Sequence, residues 1–401
     1  MKYRVLVGLL VLAGVGVWVS CGGYSSNTPA NPGVTGTGFV FVATQGDNTI
    51  SPFTIDQAAG TVTSNGKGVA TGTLPIAAIM TPTQDAIFVV NQTSSDVSRY
   101  TIKTDGTLAA VTPNISTGSN ANPVAVTMDA AGKFLFVLNK GAFGVIGGSS
   151  IQVFSIGQAA ALTAVGSLVT GPYLDNSTAI AVTPDGKFLY VSNSLNNNIS
   201  GFSVDSNGAV THLLETNAGI TPTGMITTPD DAKTPSSNAI FLYVTNANSS
   251  SGNISVFEIC DKPSLNCSNN AADPGELLEI TGSPFPAGGE PGPMVMVSPA
   301  VVTPPAGTFL YASDHKLNHV LQYSVSVVTG GLTSLSPASV STGTSPVWVA
   351  ARHDGQYVFA ANNGSTSLSA YAITDPKTGN LTNAATAIVP TVNNPTAVLV
   401  K

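Results

Sequence analysis

The chain has 401 residues, of which only 9% are charged and 43% are hydrophobic, with a formal net charge of −7. So much apolar content excludes a disordered chain. The 14 Lys and Arg are scattered through an acidic whole, which excludes a nucleic-acid binder and a folded surface held to anionic lipid, since both need clustered cations.

Residues 1–21 read as an export address. Met1-Lys2-Tyr3-Arg4 is a basic start, and Val5 to Val19 is an apolar run of fifteen residues. That suits a signal-peptide core and is shorter than the ~20 residues a membrane-spanning helix needs. Val19-Ser20-Cys21-Gly22 resembles a lipobox, in which Cys21 would be lipidated. Trp18 stands where such motifs usually carry Leu, and ordinary cleavage near Ser20 is the other reading. Residues 22–38 are rich in Gly, Ser, Asn, Thr and Pro and read as a flexible tether that buries nothing.

From Phe39 onward one pattern recurs. Its seven copies are Phe39-Val-Phe-Val-Ala-Thr44, Ala86-Ile-Phe-Val-Val-Asn91, Phe134-Leu-Phe-Val-Leu-Asn139, Phe188-Leu-Tyr-Val-Ser-Asn193, Phe241-Leu-Tyr-Val-Thr-Asn246, Phe309-Leu-Tyr-Ala-Ser-Asp314 and Tyr357-Val-Phe-Ala-Ala-Asn362, spaced by 47 to 68 residues. A run such as Asn198-Ile-Ser-Gly-Phe-Ser-Val204 follows each copy, alternating apolar and polar as a strand with one buried face does. Another strand starts after a turn, as at Gly106-Thr-Leu108 or Gly331-Leu-Thr333. A fourth precedes each copy, as in Pro123-Val-Ala-Val-Thr-Met128, often ending in a turn such as Pro184-Asp-Gly-Lys187. Asp-Gly between strands marks a hairpin. Four short antiparallel strands per ~50 residues is the period of a propeller blade.

The first copy lacks a preceding strand, and the chain ends on Pro395-Thr-Ala-Val-Leu-Val400, such a strand with nothing after it. The expected fold is therefore an all-β, seven-bladed β-propeller over residues 39–401, closed by the C-terminal strand.

Cys260 and Cys267 flank Asp-Lys-Pro-Ser-Leu-Asn. In an exported chain this spacing predicts a disulfide; free thiols are the alternative, and two ligands alone do not make a zinc site. The repeated Asn is expected to take left-handed turn geometry and bond its own turn. Trp348 is expected in the core, and His212 exposed at the start of an outer strand. Blade 6 departs from the pattern, with Asp314-His315-Lys316-Leu317-Asn318-His319 after its repeat and Gly288-Gly-Glu290 before its inner strand. Asp314, His315, His319 and Glu290 form the candidate catalytic cluster, an acid/base group or, as two His and two carboxylates, a set suited to a divalent ion. A polar surface loop is the plain alternative. No cofactor is otherwise expected.

The run from Thr178 to Val204, with Asp185-Gly-Lys-Phe-Leu-Tyr-Val-Ser-Asn193 and Asn198-Ile-Ser-Gly-Phe-Ser-Val204, resembles the YVTN-type repeats and the lactonase-like seven-bladed propellers that include propeller-type 6-phosphogluconolactonases. The resemblance covers roughly Phe39 to Lys401. It implies the propeller fold and, in some members, lactone hydrolysis. Those enzymes carry a Gly-Pro-Arg-His-type stretch on an inner strand; here Arg352 and His353 fall after the strand that begins at Pro346, so no catalytic residue transfers. Two functions are left open. One is an exported, membrane-anchored envelope lipoprotein presenting a binding or interaction domain. The other is a hydrolase of lactones. The expected partners are a cell-envelope protein, a glycan or a small sugar-derived ligand, with the chain monomeric and touching the membrane only through its lipid.

Overall fold

The sequence of each repeat sets the layers of its sheet. Runs such as Phe134–Asn139 and Phe188–Asn193 are buried along their whole length, as strands covered on both faces must be. Val210–Asn217 alternates half-buried and exposed residues, as a strand with one wet face does. The computed structural model describes residues 38–56, 60–141, 147–228, 239–248, 251–260, 267, 274–298, 307–352, 354–390 and 393–401, without the side chains of 384–390. These residues form seven antiparallel sheets, each a path of four strands. Three sheets carry one additional short strand. The only helical pieces among the described residues are the short 3-10 turns Gln158–Ala160 and Asn363–Ser365.

The inner strands are Pro75–Met80, Pro123–Met128, Ser177–Val182, Pro222–Thr227, Pro291–Val297, Pro346–Ala351 and Pro395–Val400. Each packs beside the next in a closed ring, which defines the axis. Hydroxyls stitch this ring: Thr178 donates to the Pro222 carbonyl at 2.7 Å, Thr223 to Pro291 at 2.7 Å, and Thr396 to Pro75 at 2.9 Å. Each of these bonds joins two blades. The C-terminal strand supplies the inner position of blade 1. It pairs antiparallel with Gly38–Thr44, Val40 opposite Val400 and Val42 opposite Val398. Phe39 and Lys401 exchange two backbone bonds at 2.9 and 2.8 Å. The ring therefore closes by hydrogen bonds, as the unpartnered C-terminal motif foretold.

Aromatic residues seal the seams between blades. Gly330 in blade 6 has a φ of +74°, and a β-carbon there would lie 2.5 Å from Cδ1 of Phe241 in blade 5. Gly275 repeats the arrangement at φ +88° against Phe188, at 2.6 Å. Only a residue without a side chain fits so close and so far into left-handed geometry. The adjacent tyrosines complete the seam: Tyr243 donates to the Gly330 carbonyl at 2.9 Å and Tyr190 to the Gly275 carbonyl at 2.8 Å. Burial pushes the Tyr243 phenol far above its ordinary pKa, so it remains a donor.

Cys260 and Cys267 form a disulfide, with a Cα–Cα distance of 5.6 Å. Trp348 is fully buried in the core. His212 departs from expectation. It is half-buried and stacks on Tyr173 at 3.9 Å with planes 7° apart, edge-on to Phe202. The partner ring arrives from the crossover between blades 3 and 4, a contact with no local sequence signal. Residues 1–21, Cys21 and all but the last residue of the 22–38 tether lie outside the described residues, and so does His353.

Candidate functional site at the mouth of the axis

The repeated Asn ends the second strand of five blades, and all five are fully buried. Their side chains brace the turn that follows. The Asn193 amide donates to Ser200 and to the Asn198 side chain, both at 2.9 Å. Asn246 does the same to Ser255 at 3.0 Å and Asn253 at 2.8 Å. Asn91 and Asn362 reach Ser98 and Ser369 at 2.9 Å each. The expectation of left-handed geometry at these positions needs correction. Positive φ falls four residues later instead, at Ser95, Asn197 and Thr366, while the repeated Asn are extended strand residues.

One residue after each second strand, a backbone bond recurs in all seven blades. The N–H groups of Gln45, Gln92, Lys140, Ser194, Ala247, His315 and Asn363 donate to the carbonyls of Asn394, Leu74, Asn122, Asn176, Thr221, Glu290 and Ser345, at 2.8 to 3.3 Å. The acceptor is always the residue just before an inner strand. These pairs consequently ring the mouth of the axis. Three of their members ionise: Lys140 in blade 3, and Glu290 with His315 in blade 6.

Blade 6 differs from the others in how this ring is built. Asp314 replaces Asn, and Leu321 stands where four other blades place the bonded Ser. A carboxylate has no proton to donate, so Asp314 accepts. Its Oδ2 takes the Gly289 N–H at 3.1 Å. Its Oδ1 takes those of Glu290, Lys316 and Leu317 at 3.1, 3.1 and 3.0 Å. Asp314 is fully buried. This candidate acid/base residue thus clamps the crossover to the hairpin. Gly289 permits the close approach, since a β-carbon there would meet Asp314 Oδ1 at 2.7 Å. In the other six blades the residue before the inner strand has positive φ; in blade 6 Gly288 takes that conformation, at φ +81°, and Glu290 does not.

The clamp brings Glu290 to His315. Their side chains are 34% and 29% exposed for His315 and Glu290 respectively, and His315 Nδ1 lies 3.9 Å from Glu290 Oε2. Burial holds the His315 pKa below its ordinary value, opposed by the nearby charges of Glu290 and Asp314. A neutral imidazole beside a carboxylate is the arrangement of a general base with an orienting partner. His319 lies opposite Asp314 across the hairpin. Among the described residues no three His, Cys, Asp or Glu side chains gather to hold a metal ion. Arg352 pairs with Asp354 at 3.0 Å, in the turn after the inner strand, at the end of the blade away from this ring.

Lys140 did not stand out in the sequence, where one lysine after a strand looks like ordinary surface. Its signal is its place: it is the single basic residue directly after any of the seven repeat copies, apart from the titratable His315.

Fold and site together define a closed seven-bladed propeller with a histidine–carboxylate pair at its axial mouth. A family model described as "Lactonase, 7-bladed beta-propeller" matches residues 24–124, 174–264 and 295–400. The chain belongs to this family. Among curated proteins nothing matches. Solved structures show the same fold. A 6-phosphogluconolactonase, so assigned provisionally, from Bacteroides fragilis is 22% identical, with 92% of this chain and 100% of that one covered and a TM-score of 0.69. The periplasmic gluconolactonase of Pseudomonas aeruginosa is 18% identical, with 91% and 99% covered and a TM-score of 0.69.

Proposed function

We propose that the chain hydrolyses lactones, with His315 as general base and Glu290 as the group that orients it. The His315–Glu290 pair at the mouth is the observation that carries this reading, and membership of the lactonase propeller family supports it over a purely non-catalytic binding module. The chemistry is brief. Water adds to the lactone carbonyl carbon while the neutral imidazole takes its proton. The ring C–O bond then breaks, the departing alkoxide takes that proton back, and a hydroxy acid leaves. Glu290 favours the tautomer with the proton on Nδ1, which leaves Nε2 as the base.

The test is hydrolysis of a panel of sugar and aliphatic lactones by the full-length protein and by His315→Gln and Glu290→Gln. Loss of a general base typically costs ~10²- to 10⁴-fold in rate, so His315→Gln is expected to fall by that factor without a change in melting temperature. Wild-type turnover retained in His315→Gln would overturn the assignment of the base. No turnover of any lactone by wild type would overturn the hydrolase reading and return the binding module to first place. An exported, lipid-anchored location belongs to the same proposal; Cys21→Ala should then release the protein from the membrane fraction.

A further inference from the structure

Blade 6 also departs from the other blades on its inner strand. Pro291–Val297 has seven residues, while the inner strands of the other six blades have six each. In those six the ladder to the second strand skips one inner residue. In blade 6 it steps from Pro291 opposite Asp314 to Met294 opposite Ala312, and so skips two, Gly292 and Pro293. Pro293 has no N–H to give a ladder. The resulting bulge follows directly on Glu290, and a bulge changes the aim of the chain beside it.

Blade 5 holds this bulge in place. The Thr223 hydroxyl donates to the Pro291 carbonyl at 2.7 Å, and the Thr245 hydroxyl to the Gly292 carbonyl at 3.0 Å. Both threonines are fully buried, with their hydroxyls 3.1 Å apart. Gly224 lets the two inner strands come this close, since a β-carbon there would lie 2.7 Å from the Gly292 carbonyl oxygen. Buried Ser313 donates to the Pro293 carbonyl at 3.3 Å. Glu290 therefore lies between two sets of bonds. On one side Asp314 accepts its N–H and the His315 N–H donates to its carbonyl. On the other, three hydroxyls donate to the next three carbonyls. Leaving a buried carbonyl without a donor is costly, so these hydroxyls favour one course of the chain.

We infer that Thr223 and Thr245 are positioning residues, which hold the bulge after Glu290 so that its carboxylate meets His315. This rests on the hydrolase reading for the part that pair plays in catalysis. The threonines act through the backbone of residues 290–292, not on the reacting atoms. The neighbouring seam supplies a control. Thr178 of blade 4 donates to the Pro222 carbonyl at the same 2.7 Å, but the residue before that inner strand is Thr221, which carries no carboxylate.

The experiment follows the His315 imidazole by proton NMR titration of the full-length protein, which needs no turnover. His315→Gln assigns the signal. Glu290→Gln sets the midpoint of the imidazole without its carboxylate, and it should lie below that of wild type, because the Glu290 charge raises the His315 pKa. Asp314, the other charge that raises it, is kept in every variant. The double variant Thr223→Val/Thr245→Val removes both hydroxyls, and its midpoint should fall toward that of Glu290→Gln. Thr223→Ser/Thr245→Ser, which keeps the hydroxyls, and Thr178→Val should both titrate like wild type. Should the double Val variant not fold, Thr223→Val alone is expected to shift in the same direction. A wild-type midpoint in the folded Val variants, an equal fall in Thr178→Val, or no shift in Glu290→Gln overturns the inference. Lactone turnover measured in parallel separates the two readings. Misplacing a catalytic group can cost up to ~10²-fold, so kcat should fall toward that limit in the double Val variant with KM unchanged. A shifted midpoint in a protein without turnover keeps the positioning role and removes the hydrolase. Turnover that is lost in His315→Gln and intact in the double Val variant does the reverse.

Discussion

Blades 4 and 6 share one strand plan and differ at two linked positions, Asn193 and Ser200 in blade 4 against Asp314 and Leu321 in blade 6. In blade 4 a buried amide, Asn193, donates forward to Ser200 and Asn198 and back to the Tyr173 carbonyl of the crossover, and its oxygen accepts from the Asp175 N–H and the Ser177 hydroxyl. In blade 6 a buried carboxylate, Asp314, reaches both forward and back, taking two amides of its hairpin and two of the crossover from blade 5. Both side chains therefore bridge hairpin and crossover, and the exchange replaces a mixed donor and acceptor with one that only accepts, from four backbone N–H groups. In blade 6 the bridged loops carry His315 and Glu290. The candidate site thus lies where the repeat is altered, while the unaltered repeats supply the frame.

The largest effect that can be imposed on this frame is removal of its closure. Deleting residues 395–401 strips blade 1 of its inner strand and blade 2 of the Thr396 bond. The truncated protein should lose cooperative unfolding and aggregate, as thermal denaturation followed by circular dichroism will reveal; an unchanged melting temperature would refute closure by hydrogen bonding. Next comes the seam. Gly330→Ala forces a β-carbon against Phe241 in left-handed geometry, and we expect a loss of about 3 kcal/mol or more by denaturant titration.

Exchanging the two braces tests the comparison itself. Asp314→Asn sets an amide N–H group against the backbone N–H groups of the crossover or hairpin and should cost about 1–3 kcal/mol, together with most of the lactone turnover, because Glu290 loses its support. Asn193→Asp in blade 4 should cost a similar amount of stability and leave turnover within a few-fold of wild type. Equal losses of turnover in both variants would mean that the bridge has no special link to the site.

The smallest expected effect is on pH. Because burial lowers the His315 pKa from its ordinary 6.5, the unfolded chain holds this proton more tightly than the folded one. Between the two pKa values the unfolded state binds more protons, so stability rises with pH there and declines as pH falls through 6.5. Catalysis should follow the same sign. A base that must be neutral gives a kcat that climbs with pH through a midpoint below the ordinary 6.5 of an exposed imidazole. In Glu290→Gln the midpoint should shift to lower pH still, since the opposing charge is gone.

The fold was legible because the repeat is redundant: seven copies of one apolar run, and a terminal Pro395–Val400 motif with only one place to pair. The departure at blade 6 was legible for the same reason, since Asp314 and two histidines interrupt a nearly uncharged pattern. What Asp314 does was not legible. Acceptance of four backbone N–H groups depends on the course of two loops distant in sequence. His212 was misplaced because its stacking partner, Tyr173, comes from the crossover before its blade.

The pairing of Phe39 with Lys401 has a practical corollary. Second strands start, and inner strands finish, on the side of the disc away from the mouth, so both ends of the propeller emerge there together. A tag, a bead or a sensor chip joined to either end would grip the disc from behind. The ring containing Lys140, Glu290 and His315 would then face the solution, which makes immobilised protein a suitable format for screening ligands.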